Sequence, residues 1–93
     1  MTPYHAAVHV VPRRGLLDPQ GKAVADALHT LGFPDVRSAR VGRYVVLELE
    51  ARDEGAAREA VRQMCERLLA NPVTEDYEIA SLVEIPAMAA GRA

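Results

Sequence analysis

The stretch Leu16-Leu17-Asp18-Pro19-Gln20-Gly21-Lys22-Ala23-Val24, running on to Gly32, constrains the fold of this chain more than any other. Asp18 stands where an N-cap carboxylate accepts from the first free helical N–H groups. Pro19 follows at the first helical position, where its missing N–H costs nothing and its fixed φ suits a helix. Val24, Ala27, Leu28 and Leu31 recur at i, i+3, i+4 and i+7 and make one apolar face. Gly32 tolerates the left-handed conformation that closes a helix, and Pro34 prevents a restart. The spacing predicts a helix from about Pro19 to Leu31.

Strand-like alternation flanks this helix. From Tyr4 to Val11, Tyr4, Ala6, Val8 and Val10 fall on one face and His5, Ala7, His9 and Val11 on the other. His5 and His9 are separated by roughly 13 Å along such a strand, too far to share one metal ion. After Phe33-Pro34-Asp35, Val36–Val41 and Tyr44–Ala51 read as two strands around Gly42-Arg43, an antiparallel hairpin. The second alternates cleanly, with Val45, Leu47, Leu49 and Ala51 inward and Tyr44, Val46, Glu48 and Glu50 outward. Arg37, Arg40 and Arg43 are expected to face Glu48 and Glu50 across the strands. Asp53 caps a second helix from about Glu54 to Ala70, with Ala57, Val61, Met64, Cys65 and Leu68 as its buried stripe. Glu54–Arg58 and Arg62–Glu66 are spaced for ion pairs on its wet side, and Asn71-Pro72 stops it. Tyr77–Ile85 is the last strand, with Glu75-Asp76 expected to be solvated in the preceding loop. Residues 1–85 read as one domain and 86–93 as a frayed tail.

The order β-α-β-β-α-β defines an α+β, ferredoxin-like two-layer sandwich: an antiparallel sheet with two helices on one face. The other sheet face would then be bare and would carry Ala7, Val11, Tyr44, Val46, Ala80 and Leu82. An apolar face of that kind calls for a partner, so a dimer or higher assembly is expected.

Bulk properties narrow the function classes. Ninety-three residues make one small core. A formal charge of −2 speaks against nucleic acid, and the absence of Trp with a single Phe leaves no stacking platform. No apolar run approaches the roughly 18 to 20 residues of a membrane span. One cysteine, Cys65, forms no intrachain disulfide and fits a reducing cytoplasm. It lies on or beside the apolar stripe, a structural position rather than that of a nucleophile. No Ser/His/Asp set, Gly-rich phosphate loop or metal cluster emerges. Arg13 and Arg14, beside the first helix N-terminus, could hold an anion or lie in a solvated loop, and Asp18 in the cap lowers the positive field there. On residues alone, the chain reads as a small interaction domain.

Three separated motifs resemble the PurS family. They are Leu17–Val24 with Leu28 and Leu31-Gly32; Val41-Gly42-Arg43-Tyr44 with Leu47-Glu48; and Met64–Val73 with Glu75-Asp76-Tyr77. The likeness spans about Tyr4 to Ile85. PurS is the small subunit of phosphoribosylformylglycinamidine (FGAM) synthase. The resemblance implies a role in converting formylglycinamide ribonucleotide, ATP and glutamine to formylglycinamidine ribonucleotide, ADP, phosphate and glutamate in purine synthesis. It implies a PurL synthetase partner that binds ATP and magnesium, and a PurQ glutaminase partner. It implies a homodimer that joins them and aids ammonia transfer, with neither catalytic residues nor a cofactor of its own. Two features depart from the family pattern, the basic turn Pro12-Arg13-Arg14-Gly15-Leu16 and the tail after Ile85. Interface candidates, taken from the matched motifs and their neighbours, are Arg13, Arg14, Asp18, Gln20, Arg43, Tyr44 and Tyr77.

Three other readings share the strand order. An acylphosphatase would need Arg13 or Arg14 with Asn71 and a phosphate loop that is missing. An ACT-like regulatory domain would bind an amino acid between subunits. An RNA-binding domain would need aromatics on its middle strands, where Tyr44 stands alone.

Overall fold

The structure is a computed structural model that describes residues 1–16 and 18–86. Its elements are β1 (Thr2–Pro12), α1 (Pro19–Thr30), β2 (Arg43–Ala51), α2 (Glu54–Met64) and β3 (Glu75–Glu84). A π-helical turn, Cys65–Leu69, continues α2. The three strands form one antiparallel sheet in the order β2-β1-β3. The α+β class holds, with an antiparallel sheet and two helices. The expected tail beyond Pro86 lies outside the described residues.

The core forms where the inner face of β1 meets α2. Ala6, Val8 and Val10 are fully buried, as are Ala57, Val61 and Cys65 opposite them. Small side chains on both elements let helix and sheet approach closely, while Val45, Leu47, Leu49 and Ile79 close the sides. Asp53 caps α2 as expected, its Oδ1 accepting from the Ala56 amide at 2.8 Å. The end of the helix differs from a regular continuation. In the π turn the Ala70 amide donates to the Cys65 carbonyl at 2.9 Å, which places one more residue in the turn. The apolar stripe is thereby rotated. Leu69 packs against the core, while Leu68 stands 81% exposed; Met64, which precedes the turn, is outside because Cys65 continues the stripe of Ala57 and Val61.

A β-bulge moves Leu82, expected on the bare outer face, into the core. Opposite β1 the register steps between Ala7 and Val8, from Ser81 to Ile79, leaving Ala80 as the extra residue. One inserted residue exchanges the two faces of everything beyond it. Leu82 is therefore opposite Ala6 and buried in the core, and Val83 takes its place on the outer face.

The hairpin expected around Gly42-Arg43 is half formed. Tyr44–Ala51 lies within β2, but Val36–Val41 joins no ladder among the described residues. Its polar groups are engaged elsewhere. The Val36 carbonyl is 2.6 Å from His29 Nε2, and the Val41 amide donates to Asp18 Oδ2 at 3.1 Å. This segment lies against α1, whose buried residues are Gly21 and Ala25. Of the two helices, α2 thus covers the sheet, and α1 contributes nothing to the core cluster. The radius of gyration is 17.1 Å, against about 12 Å for a compact domain of this length.

Gly21 is the tightest point of this arrangement. A Cβ there would lie 2.2 Å from the Ala39 carbonyl oxygen and 2.4 Å from Asp18 Oδ2. Alanine improves helix propensity by about 1 kcal/mol, whereas overpacking against backbone costs about 1–3 kcal/mol. Gly21→Ala is therefore expected to lower stability in urea unfolding, and a stabilised variant would contradict this packing of α1.

Candidate interaction surfaces

The candidate residues fall into three places. The first is a charged knot where β1, β2 and β3 meet the end of α2. Arg43 opens β2 and donates through Nη2 to the Leu69 carbonyl at 2.8 Å and to Glu75 Oε1 at 2.9 Å. The same Glu75 oxygen accepts from the Asn71 amide at 2.8 Å, and its side chain is only 15% exposed. Arg13 donates to the Pro72 carbonyl at 2.7 Å and pairs with Asp76 at 3.3 Å. The Tyr77 hydroxyl donates to Glu66 Oε2 at 3.0 Å. Glu66 also accepts from Arg62, which clasps Glu59 as well, whereas Glu54 and Arg58 form no pair among the described residues. Arg13, Arg43 and Tyr77 thus brace the 70–76 turn. Glu75 is a bound member of the knot rather than solvated, whereas Asp76, paired with Arg13, keeps a largely exposed side chain, and both lie in β3 rather than in the preceding loop.

The electrostatics follow from these bonds. Hydrogen bonds from Arg43 and the Asn71 amide hold the Glu75 carboxyl below the usual range. Arg62 and Gln63 hold Glu59 down to about 2. Burial, then the Glu66 charge, pushes the Cys65 thiol up, which disfavours the thiolate a nucleophile needs. Asn71 accepts from the Val73 amide at 3.0 Å and so shapes the turn.

The second place is the start of α1. Asp18 Oδ1 accepts from the Gly21 amide at 3.1 Å while Oδ2 holds Val41, so one carboxylate caps the helix and fixes the returning chain. Arg14 and Gln20 are exposed beside it. Arg14 lines a groove against α1 together with Arg37 and Arg40, and Arg40 donates to the Pro12 carbonyl at 3.0 Å. None of Arg37, Arg40 and Arg43 pairs with Glu48 or Glu50 among the described residues, because only Arg43 lies in the sheet.

The third place is the outer sheet face. Tyr44 stands 60% exposed, its ring 4.9 Å from that of His9, with Val46 and Val83 also exposed nearby on β2 and β3. His9 Nδ1 is 3.7 Å from Glu78. A further apolar surface, absent from the sequence expectations, runs off α1. The expected stripe faces outward at Val24 and Leu31, and Phe33 extends it. Its signal was the helix periodicity itself, which establishes an apolar face without saying what covers it.

Fold and surfaces together define a class: a small α+β protein that presents apolar and charged faces for assembly. Comparison with known proteins makes this particular. The family model for PurS, phosphoribosylformylglycinamidine (FGAM) synthase, matches residues 5–82. Subunit PurS of that synthase from Synechocystis sp. is 45% identical over 74 residues, 80% of this chain and 74% of the relative. The structure of Thermus thermophilus PurS superposes with a TM-score of 0.78 at 39% identity, covering 90% of this chain and 99% of that one. A chain from the structure of PurLQS from Thermotoga maritima gives 0.76 at 34% identity, covering 91% and 100%. The chain belongs to the PurS family, the PurS subunits of FGAM synthase.

The knot gives two tests. Arg43→Ala leaves Glu75 unpaired and is expected to cost about 1–3 kcal/mol in urea unfolding at pH 7. Because the folded-state pKa of Glu75 is depressed, its stabilisation is complete above the unfolded value near 4.5 and is lost as pH falls through the folded value. Glu75→Gln is accordingly expected to flatten the loss of stability below pH about 4.5, and a slope equal to that of the unaltered protein would contradict the assignment.

Proposed function

We propose that this chain is the connector of a three-subunit FGAM synthase. In this reading residues 1–85 act as one unit in the cytoplasm, as a homodimer. They join a PurL-type synthetase, which binds ATP and magnesium, to a PurQ-type glutaminase, and support the passage of ammonia between them. The observation that carries the reading is the likeness, over 91% of this chain, to the chain in the Thermotoga maritima PurLQS structure.

Physical features support it. Exposed apolar groups occur on α1 with Phe33, on the outer sheet face with Tyr44, Val46 and Val83, and at and just beyond the end of α2 with Met64, Leu68 and Val73, enough for a second copy and for another subunit. Arg14, Gln20 and Tyr44 are the candidates for direct partner contact. Arg13, Asp18, Arg43 and Tyr77 act by holding the turns that shape those surfaces.

Reconstitution tests the proposal. With PurL- and PurQ-type subunits from the same organism, glutamine-dependent FGAM formation is expected to require this chain, while ammonia-dependent formation by the PurL-type subunit proceeds without it. Glutamine-dependent turnover at the same rate with the chain omitted would overturn the connector role. Sedimentation of the isolated protein is expected to give a dimer that Val46→Glu or Leu31→Glu shifts toward monomer, identifying the face used.

A further inference from the structure

Between α1 and the irregular 36–40 segment runs a groove of about 840 Å³. Four cations line it, Arg14, Lys22, Arg37 and Arg40, against two acids, Asp18 and Asp26. Both acids are engaged: Asp18 accepts two backbone amides, and Asp26 pairs with Lys22 at 3.0 Å. Arg14 and Arg37 make no ion pair among the described residues, and the partner of Arg40 is an uncharged carbonyl. The groove is thus locally cationic on a chain whose formal charge is −2. The 36–40 segment belongs to no helix or strand, and none of the amides of residues 37 to 40 donates to another described residue.

Resting on the connector reading, we infer that this groove receives an extended acidic segment of another subunit of the complex. Small-molecule sites are enclosed and mostly apolar, with a few convergent polar groups. Here the four cationic residues are all exposed and are spread along both walls of an open trough. Several charges presented along a line, beside unpaired amides, match the carboxylates and carbonyls of an extended acidic peptide. A second copy of this chain offers no free segment of that kind. Of its neighbouring acids, Asp53 caps α2, Glu75 and Asp76 pair with Arg43 and Arg13, and Glu48 and Glu50 are held in the sheet within β2.

The test uses charge reversal at two side chains with no ion pair to lose. Arg14→Glu/Arg37→Glu is compared with Arg52→Glu/Arg58→Glu, an equal charge change away from the groove. Each protein is titrated with the PurL-type and PurQ-type subunits separately at low and moderate salt. Inorganic phosphate and ADP are titrated into the unaltered chain alone. The groove variant is expected to weaken association with one subunit by about tenfold or more and to flatten its salt dependence. The control pair is expected to stay within about twofold. Equal weakening by both pairs, or no weakening while the unaltered chain assembles, would overturn the inference and leave the connector reading standing. Saturable phosphate or ADP binding that the groove variant loses would overturn it in favour of a small anion. Failure of the unaltered chain to bind either subunit would remove the connector reading itself. Arg14→Gln/Arg37→Gln provides the same comparison if the reversed pair does not fold, with a smaller loss expected.

Discussion

Among the described residues every strand pairing runs through β1. Both of its edges are hydrogen-bonded, to β2 on one side and β3 on the other, and its inner face is sealed by α2. Neither neighbour pairs with the other, so the sheet exists only because β1 lies between them. The residues that make this possible are modest, with Ala6, Val8 and Val10 giving the helix a smooth floor and Ala57 matching them from above. A core built from such small groups is thin. The charged knot at one end of the sheet compensates by tying the start of β2 to the start of β3 and to the last turn of α2.

The second organising contact is the Asp18 carboxylate. Its two oxygens do different work, one ending the backbone deficit of α1 and the other fixing Val41 as the chain returns to the sheet. Gly21 lets the returning segment press against the helix. The result is a lobe, α1 with residues 36–41, that packs on itself and leaves its apolar stripe outward. An isolated protein gains nothing by exposing Leu31 and Phe33. A subunit does, because association removes the same surface from water.

Much of this was legible in the residues. The capped, bounded helix, the clean alternation of β1 and β2, and the three matched motifs led to the class and the family. What escaped was mostly phase. Leu82 falls on the wrong side of a strict alternation because Ala80 is a bulge, and a bulge leaves no signature in a period-two pattern. Leu68 was counted inward because a regular helix would place it there, and a π turn moves it out. Val36–Val41 had half the pattern of a strand, and its partners proved to be Asp18 and His29 rather than a neighbouring strand. Arginine partners were misassigned for the same reason, since cross-strand pairing presupposes the ladder. Glu75 reads as solvated because nothing in a linear reading brings Arg43 and the Asn71 amide to it, whereas Asp76 stays largely exposed.

If the exposed faces of this chain are surfaces of an assembly, partner subunits shield them. Amide hydrogen exchange across the chain, alone and in the presence of PurL- and PurQ-type subunits, is the sharpest test. Slowed exchange is expected in α1 and residues 36–41 in the assembled state, with the buried amides of β1 little changed. Exchange in α1 and 36–41 that is identical with and without the partners would contradict that shielding.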